Sequence, residues 1–151
     1  MTEFEVGQKA FMEKNISEED VRHFAGISGD DNPLHLDETY AAGSRFGKRV
    51  VHGILVASLI SGVIGTKLPG KGTIYLSQSL KFLKPVFIGD TIRAEVEITK
   101  LDTERGRIAL ETRVIRSDGA CVLAGEALVI PPENLYCGAK PEFADIDRGG
   151  G

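Results

Sequence analysis

Cysteine is scarce in this 151-residue chain, which has only Cys121 and Cys137. The two form no metal-ligand or redox spacing. Cys121 lies in an apolar run and reads as a buried thiol, and a Cys121–Cys137 disulfide is open but disfavoured. Positive charge is also in short supply. Eighteen Lys and Arg stand against 22 Asp and Glu, for a net charge of −4. They are scattered, with no basic run, which argues against an electrostatic nucleic-acid footprint. Long hydrophobic runs are missing too. The longest apolar region, Gly53 to Gly65, is interrupted by Ser58, Ser61 and several glycines and is too short to span a bilayer. Met1 to Glu5 is acidic and no apolar stretch follows it, unlike a signal peptide. No internal repeat or low-complexity linker is found. The expectation is one cytoplasmic domain with neither nucleic acid nor membrane as partner.

Hydrophobic residues at 42% and charged residues at 26% suffice for one core without staples. Ser17-Glu18-Glu19-Asp20 predicts a helix start, with Ser17 as cap and acids at the positive end of the dipole. Val21, Phe24, Ala25 and Ser28 follow at helical spacing, and Gly29 is a plausible stop. Asp30 to Leu36 reads as a loop held by Pro33. Asp37 reads as the cap of a short helix over Glu38 to Gly43. A third helix starts at Gly53 and is apolar nearly all round, so it should lie inside the fold rather than on it.

The second half switches to period two. Thr91 to Ile98 alternates cleanly, Ile108 to Ile115 is a second strand, and Ser117-Asp118-Gly119 is a turn. Cys121 to Ile130 is more apolar and is expected to run through the sheet centre. Thr73 to Leu83 supplies another strand, and Lys9 to Glu13 an edge. Helices followed by an antiparallel meander predict an α+β fold. The polar stretch 138–151 reads as a loosely ordered tail.

Two stretches could carry chemistry. In Ser28-Gly29-Asp30-Asp31-Asn32-Pro33-Leu34-His35 a carboxylate and an imidazole stand five residues apart on a Pro-stiffened loop. Together they can form a general acid–base system near neutral pH, although Asp-Asn-Pro is also an ordinary turn opener. In Val51-His52-Gly53-Ile54 a glycine stands where the apolar helix begins. Free N–H groups and the helix dipole there suit an oxyanion, although Gly53 could equally be a plain helix start and His52 a structural loop residue. His23 falls on the exposed side of the first helix and carries no expectation.

The run Gly29 to Asp37 resembles the hydratase-2 motif of the MaoC-like family, Asp-x-Asn-Pro-(aliphatic)-His. The resemblance continues through Tyr40-Ala41-Ala42, Phe46, Val50 to Gly62, Leu68 to Leu76, Leu80-Lys81-Phe82 and Pro85 to Asp90. It spans roughly Phe11 to Pro131 and is nearest to short (R)-specific enoyl-CoA hydratases. It implies a single hot-dog domain over 1–137, with a curved antiparallel sheet wrapped around the Gly53–Lys67 helix, followed by the tail 138–151. It also implies reversible syn addition of water to a trans-2-enoyl-CoA, giving the (R)-3-hydroxyacyl-CoA. No metal and no organic cofactor is implied, coenzyme A being part of the substrate.

In this resemblance His35 deprotonates the attacking water, Asp30 holds it and delivers a proton to C2, and the Gly53 N–H bonds the thioester oxygen. Ser61 matches the serine of the family's active-site helix, and a helix serine bonding back to a carbonyl is the competing reading. Asn32 organises the loop within the binding site. Leu55, Leu59 and Phe82 are candidates for the pocket floor, and Lys71, Lys81 and Lys84 for the coenzyme A phosphates. A homodimer with the site near the subunit boundary is implied. Three alternatives stay open here: a 3-hydroxyacyl-ACP dehydratase, a hot-dog thioesterase, and a non-catalytic acyl-thioester-binding protein.

Overall fold

A computed structural model of the chain describes residues 4–132. Cys137 and the expected tail lie outside them. The elements run β1 (Lys9–Asn15), α1 (Glu18–Ser28), α2 (Pro33–Leu36), α3 (Glu38–Ala42), α4 (Gly53–Thr66), β2 (Ile74–Gln78), β3 (Lys81–Phe82), β4 (Thr91–Asp102), β5 (Arg107–Arg116) and β6 (Cys121–Ile130). One antiparallel sheet has the order β1-β4-β5-β6-β2, with β3 also on β6.

Helix ends follow the local chemistry. The Ser17 hydroxyl accepts from the Asp20 N–H while the Asp20 carboxylate accepts from the Ser17 N–H, a reciprocal capping box. Asp37 caps α3 by accepting from the Tyr40 N–H. The stretch expected to be plain loop from Asp30 to Leu36 contains α2. Asn32 caps this single turn at the Leu34 N–H and Pro33 occupies its first position, which fits proline because the first N–H needs no helical partner.

The alternation in the sequence appears as burial. Ile92, Ala94, Val96 and Ile98 of β4 are buried, as are Ile108, Leu110, Thr112 and Val114 of β5. Strand β4 outruns its expected end at Ile98 because the register shifts between Ile98 and Lys100. A bulge breaks the period of two that marks a strand in sequence. Strand β6 is interior, but β5 is the middle strand. The single strand expected over Thr73 to Leu83 is two. The Gln78 side-chain amide donates to the Ser79 carbonyl at 2.8 Å, and that carbonyl lies so close to Gly125 that a Cβ there would sit 1.8 Å from it. The ladder is interrupted at this crossing and resumes at Lys81.

Helix α4 departs from the expectation of all-round burial. Val56, Ile60, Val63 and Ile64 are buried in one core with the inner residues of β4, β5 and β6. These positions recur at helical spacing on one side. Ile54, 55% exposed, and exposed Ser58 and Ser61 lie on the other, because the sheet of one chain covers only one face. Each fully buried Val or Ile contributes about 1.5–3 kcal/mol, against about 1 kcal/mol lost at each interior glycine. Packing therefore holds this helix despite Gly62 and Gly65. The result is a hot-dog-like α+β fold. Among the described residues no helix is long and apolar enough to cross a membrane.

Candidate active site

Gly29 ends α1 in the left-handed region, φ 78°, with its N–H on the Ala25 carbonyl. The chain turns there and sets Asp30 at the head of α2. The Ser28 hydroxyl accepts from the Asp30 N–H at 3.1 Å, and Asp30 Oδ1 accepts from the Asn32 N–H at 3.3 Å. One turn later His35 is buried, 9% exposed.

Its ring orientation follows from its partner. Nδ1 lies 2.8 Å from the Val50 carbonyl oxygen, which can only accept, so Nδ1 carries the hydrogen. Nε2 then holds a lone pair and faces Asp30 Oδ2 at 3.8 Å. That distance is too long for a direct hydrogen bond and suits two groups acting on a common molecule. Half of the Asp30 side chain is exposed, so the acid stands at the rim and the imidazole in the wall.

Two residues absent from the expected site grip this pair. Arg49, 7% exposed, donates from Nε to the His35 carbonyl at 2.7 Å and from Nη1 to Glu18 at 2.8 Å. The Arg49 hydrogen bond, followed by that from Arg22, holds the Glu18 carboxyl below its usual range. His52 stacks on His35 with ring centroids 3.8 Å apart and an interplanar angle of 28°. Its Nε2 donates to the Asp30 carbonyl at 2.9 Å. Burial pushes the His52 pKa down, the Asp30 bond opposes this, and His35 nearby lowers it further.

Gly53 opens α4, and His52 before it supplies no side-chain cap. The first intrahelical bond runs from the Val56 N–H to the His52 carbonyl. The N–H groups of the first turn therefore remain available at the positive end of the dipole. The Phe82 ring lies so close to Gly53 that a Cβ there would meet its Cε1 at 2.6 Å. Close approach of the Phe82 ring, rather than an unusual φ, is what a side chain at this position would meet.

Asp30, His35, His52, Gly53 and Phe82 line one cavity of about 600 Å³. Its other walls are mainly apolar, with Phe24, Leu34, Phe46, Val56 and Leu123 among them. Lys84 reaches it, whereas Lys71 and Lys81 do not line it. Asn32, Leu55, Leu59 and Ser61 are also absent from the walls. Asn32 caps α2, Leu55 and Leu59 pack against the core, and Ser61 is exposed on α4 two turns beyond Ile54. Asp30, His35 and His52 offer potential metal-ligand atoms within 4.8 Å of one another, but His52 Nε2 already donates to a carbonyl. The sequence signal for His52 was its place directly before the helix glycine. Arg49 left no signal, because only folding brings it to His35.

A polar pair over an apolar cavity, beside an uncapped helix start, is equipped for acid–base chemistry on a carbonyl compound. Comparison with known proteins agrees with the motif. The chain is 50% identical over 128 residues to an (R)-specific enoyl-CoA hydratase of Aeromonas caviae, covering 85% of this chain and 96% of that one. It is 47% identical over 131 residues to a 3-hydroxybutyryl-CoA dehydratase of Methylorubrum extorquens, covering 87% and 83%. The solved structure of an (R)-hydratase from A. caviae involved in PHA biosynthesis superimposes with a TM-score of 0.84 at 50% identity, covering 85% of this chain and 98% of that one. The model of the MaoC like domain matches residues 3–120. With the Asp30–His35 motif and its geometry, this places the chain in the MaoC-like family.

Proposed function

We propose that the protein is an (R)-specific enoyl-CoA hydratase, a hydro-lyase that reversibly adds water to a trans-2-enoyl-CoA. The observation that carries this reading is the facing of the His35 Nε2 lone pair and the Asp30 carboxyl across 3.8 Å, on one wall of the cavity that also contains Gly53.

The thioester carbonyl makes C3 electrophilic. His35 Nε2 takes a proton from water as its oxygen bonds to C3. The π electrons move toward C2 and the thioester oxygen, where the Gly53 N–H stabilises the growing negative charge; one such donor is worth about 3–4 kcal/mol. The proton that His35 takes from water is relayed to Asp30, which delivers it to C2, so that both groups end as they began. One water is added, and both atoms enter from the face that Asp30 and His35 share. Phe82 and the apolar walls hold the acyl chain. Asn32 keeps Asp30 and His35 in register through its cap on α2.

The working form is a homodimer in which the sheet closes around α4 and the partner's sheet continues it. Ile54, Phe82 and Leu83, each more than half exposed, all stand at the cavity and support a second copy there. Ser61, Leu55 and Leu59 take up substrate contacts in that assembly, with Ser61 at the polar end of the pocket. Size-exclusion chromatography with light scattering tests the mass: a monomer at working concentration rejects this arrangement.

The activity is tested with crotonyl-CoA by following loss of the enoyl absorbance, with the product offered to an (R)-specific dehydrogenase. Asp30→Asn and His35→Ala are each expected to lower kcat by about 10²–10⁴-fold, the usual worth of a positioned acid or base. Absence of turnover on every enoyl chain length, or turnover that survives both substitutions, overturns the reading.

A further inference from the structure

We propose that His52 is a positioning residue of the reaction, holding the acid, the base and the oxyanion donor in one register. The inference rests on the hydratase reading above. It starts from the fact that the three groups come from three separate pieces of chain. Asp30 is in the turn after α1, His35 is on α2, and Gly53 begins α4. His52 touches or adjoins all of them. Its Nε2–H holds the carbonyl of Asp30 itself, at 2.9 Å. Its ring stacks on the ring of His35, with centroids 3.8 Å apart and the planes inclined by 28°. Its own carbonyl accepts the first helical bond of α4, from Val56.

The surroundings leave His52 little freedom. It is 2% exposed, and Phe24 of α1 meets it edge-on with centroids 4.8 Å apart and an interplanar angle of 64°. The backbone on either side is anchored, since the Val51 N–H donates to the Val86 carbonyl at 2.7 Å and Val50 bridges to Phe87. Val50 also receives the His35 Nδ1–H. Residues 50 to 53 therefore act as one short rail, with a carbonyl for the base, a ring that holds the backbone of Asp30 and the side chain of His35, and a helix start for the oxyanion.

Nδ1 of His52 points the same way. With Nε2 donating, Nδ1 holds a lone pair, and it is buried without a hydrogen-bond partner among the described residues. A buried unpaired acceptor costs stability. An apolar ring of similar shape would avoid that cost while keeping the stack, but it would give up the bond to Asp30. The bond to Asp30 is thus what only a donor at this position supplies. Burial also pushes the His52 pKa down, which disfavours a cation stacked against His35 as that ring takes the proton from water.

Three substitutions in the full chain separate this role from simple packing. His52→Gln keeps an N–H donor at similar reach, His52→Phe keeps the stack without the donor, and His52→Ala keeps neither. Circular dichroism and thermal unfolding first establish that each variant is folded. The expected result on crotonyl-CoA is kcat within about fivefold of the parent for His52→Gln and lowered by up to about 100-fold for His52→Phe and His52→Ala, as for small misplacements of reacting groups. KM should move little in all three. Folded His52→Phe and His52→Ala with the parent kcat overturn the proposal. So does His52→Gln performing no better than His52→Phe, or a loss confined to KM.

Imidazole ¹⁵N spectra of the parent protein give a readout independent of turnover. His52 should show the Nε2–H tautomer and His35 the Nδ1–H tautomer. The opposite tautomer at His52 removes the bond on which the inference stands. A parent with no turnover defeats the hydratase reading, whereas an active parent whose kcat is indifferent to His52 defeats only this proposal.

Discussion

Replacing Gly53 with alanine tests how the helix start and the pocket wall are fitted together. The backbone at Gly53 is not in the left-handed region, so alanine is allowed conformationally and should gain helix propensity, at most about 1 kcal/mol. Opposing this, its Cβ would lie 2.6 and 2.7 Å from two atoms of the Phe82 ring. Overpacking of this kind costs about 1–3 kcal/mol. Phe82 is 54% exposed and can swing outward, which places the cost near the lower end. Gly53→Ala alone should therefore change stability by no more than about 1 kcal/mol, because the gain in propensity and the cost of crowding nearly cancel. The informative quantity is the coupling with Phe82→Ala. With the ring removed, Gly53→Ala should become neutral or stabilising, giving a coupling energy of about 1–2 kcal/mol by double-mutant cycle. Urea unfolding at constant m measures it. Activity offers a parallel reading. Alanine retains the backbone N–H, so any loss of kcat in Gly53→Ala comes from the displaced ring and should be partly recovered in the double variant. Coupling below about 0.5 kcal/mol would refute the claim that Phe82 is what demands glycine at this position.

Other perturbations have expected outcomes. Gly125→Ala would bring a Cβ to 1.8 Å from the Ser79 carbonyl oxygen, a backbone atom that cannot swing away. It should cost more than about 4 kcal/mol, at the exceptional end for one substitution, and be seen as loss of folded protein in thermal or urea unfolding. Arg49→Met removes the Nε donor to the His35 carbonyl and should cost about 1–3 kcal/mol. Arg49→Lys should restore only part of this, because one ammonium cannot reproduce the fork, and both can be ranked by urea midpoint. Asp118 is held down to about 2 from 3.8, first by the Arg116 hydrogen bond and then by the Ala120 N–H. The folded state thus binds this proton less readily than the unfolded chain. The stabilisation is present above the ordinary value of 3.8 and is lost as pH falls toward about 2. Asp118→Asn should flatten the pH dependence of the unfolding midpoint in that window, and an unchanged slope would count against the pairing.

Much of the fold was legible because its signals are local. Ser17 and Asp37 cap the helices that their positions announce. The alternation from Thr91 to Ile98 is the burial pattern of β4. The motif Asp30 to His35 and the glycine at 53 marked residues that the structure brings to one cavity. What the sequence obscured depends on distant neighbours. The break between β2 and β3 arises because the Ser79 carbonyl crosses over Gly125, 46 positions away in sequence. The one-sided burial of α4 depends on which face the sheet covers, and apolar composition alone does not say.

The amino-acid order by itself determined where α1, α3 and α4 begin, which strands alternate, and that a carboxylate and an imidazole share a stiffened turn, since each follows from spacing along the chain. Tertiary structure decided the state of that pair. Val50, 15 positions beyond His35, sets its tautomer, and His52, 22 positions beyond Asp30, holds the acid's backbone. Such contacts join residues that only the packing of α1 and α2 against the start of α4 brings within hydrogen-bond reach, and directional bonds of about 3 Å cannot be read from residue types alone.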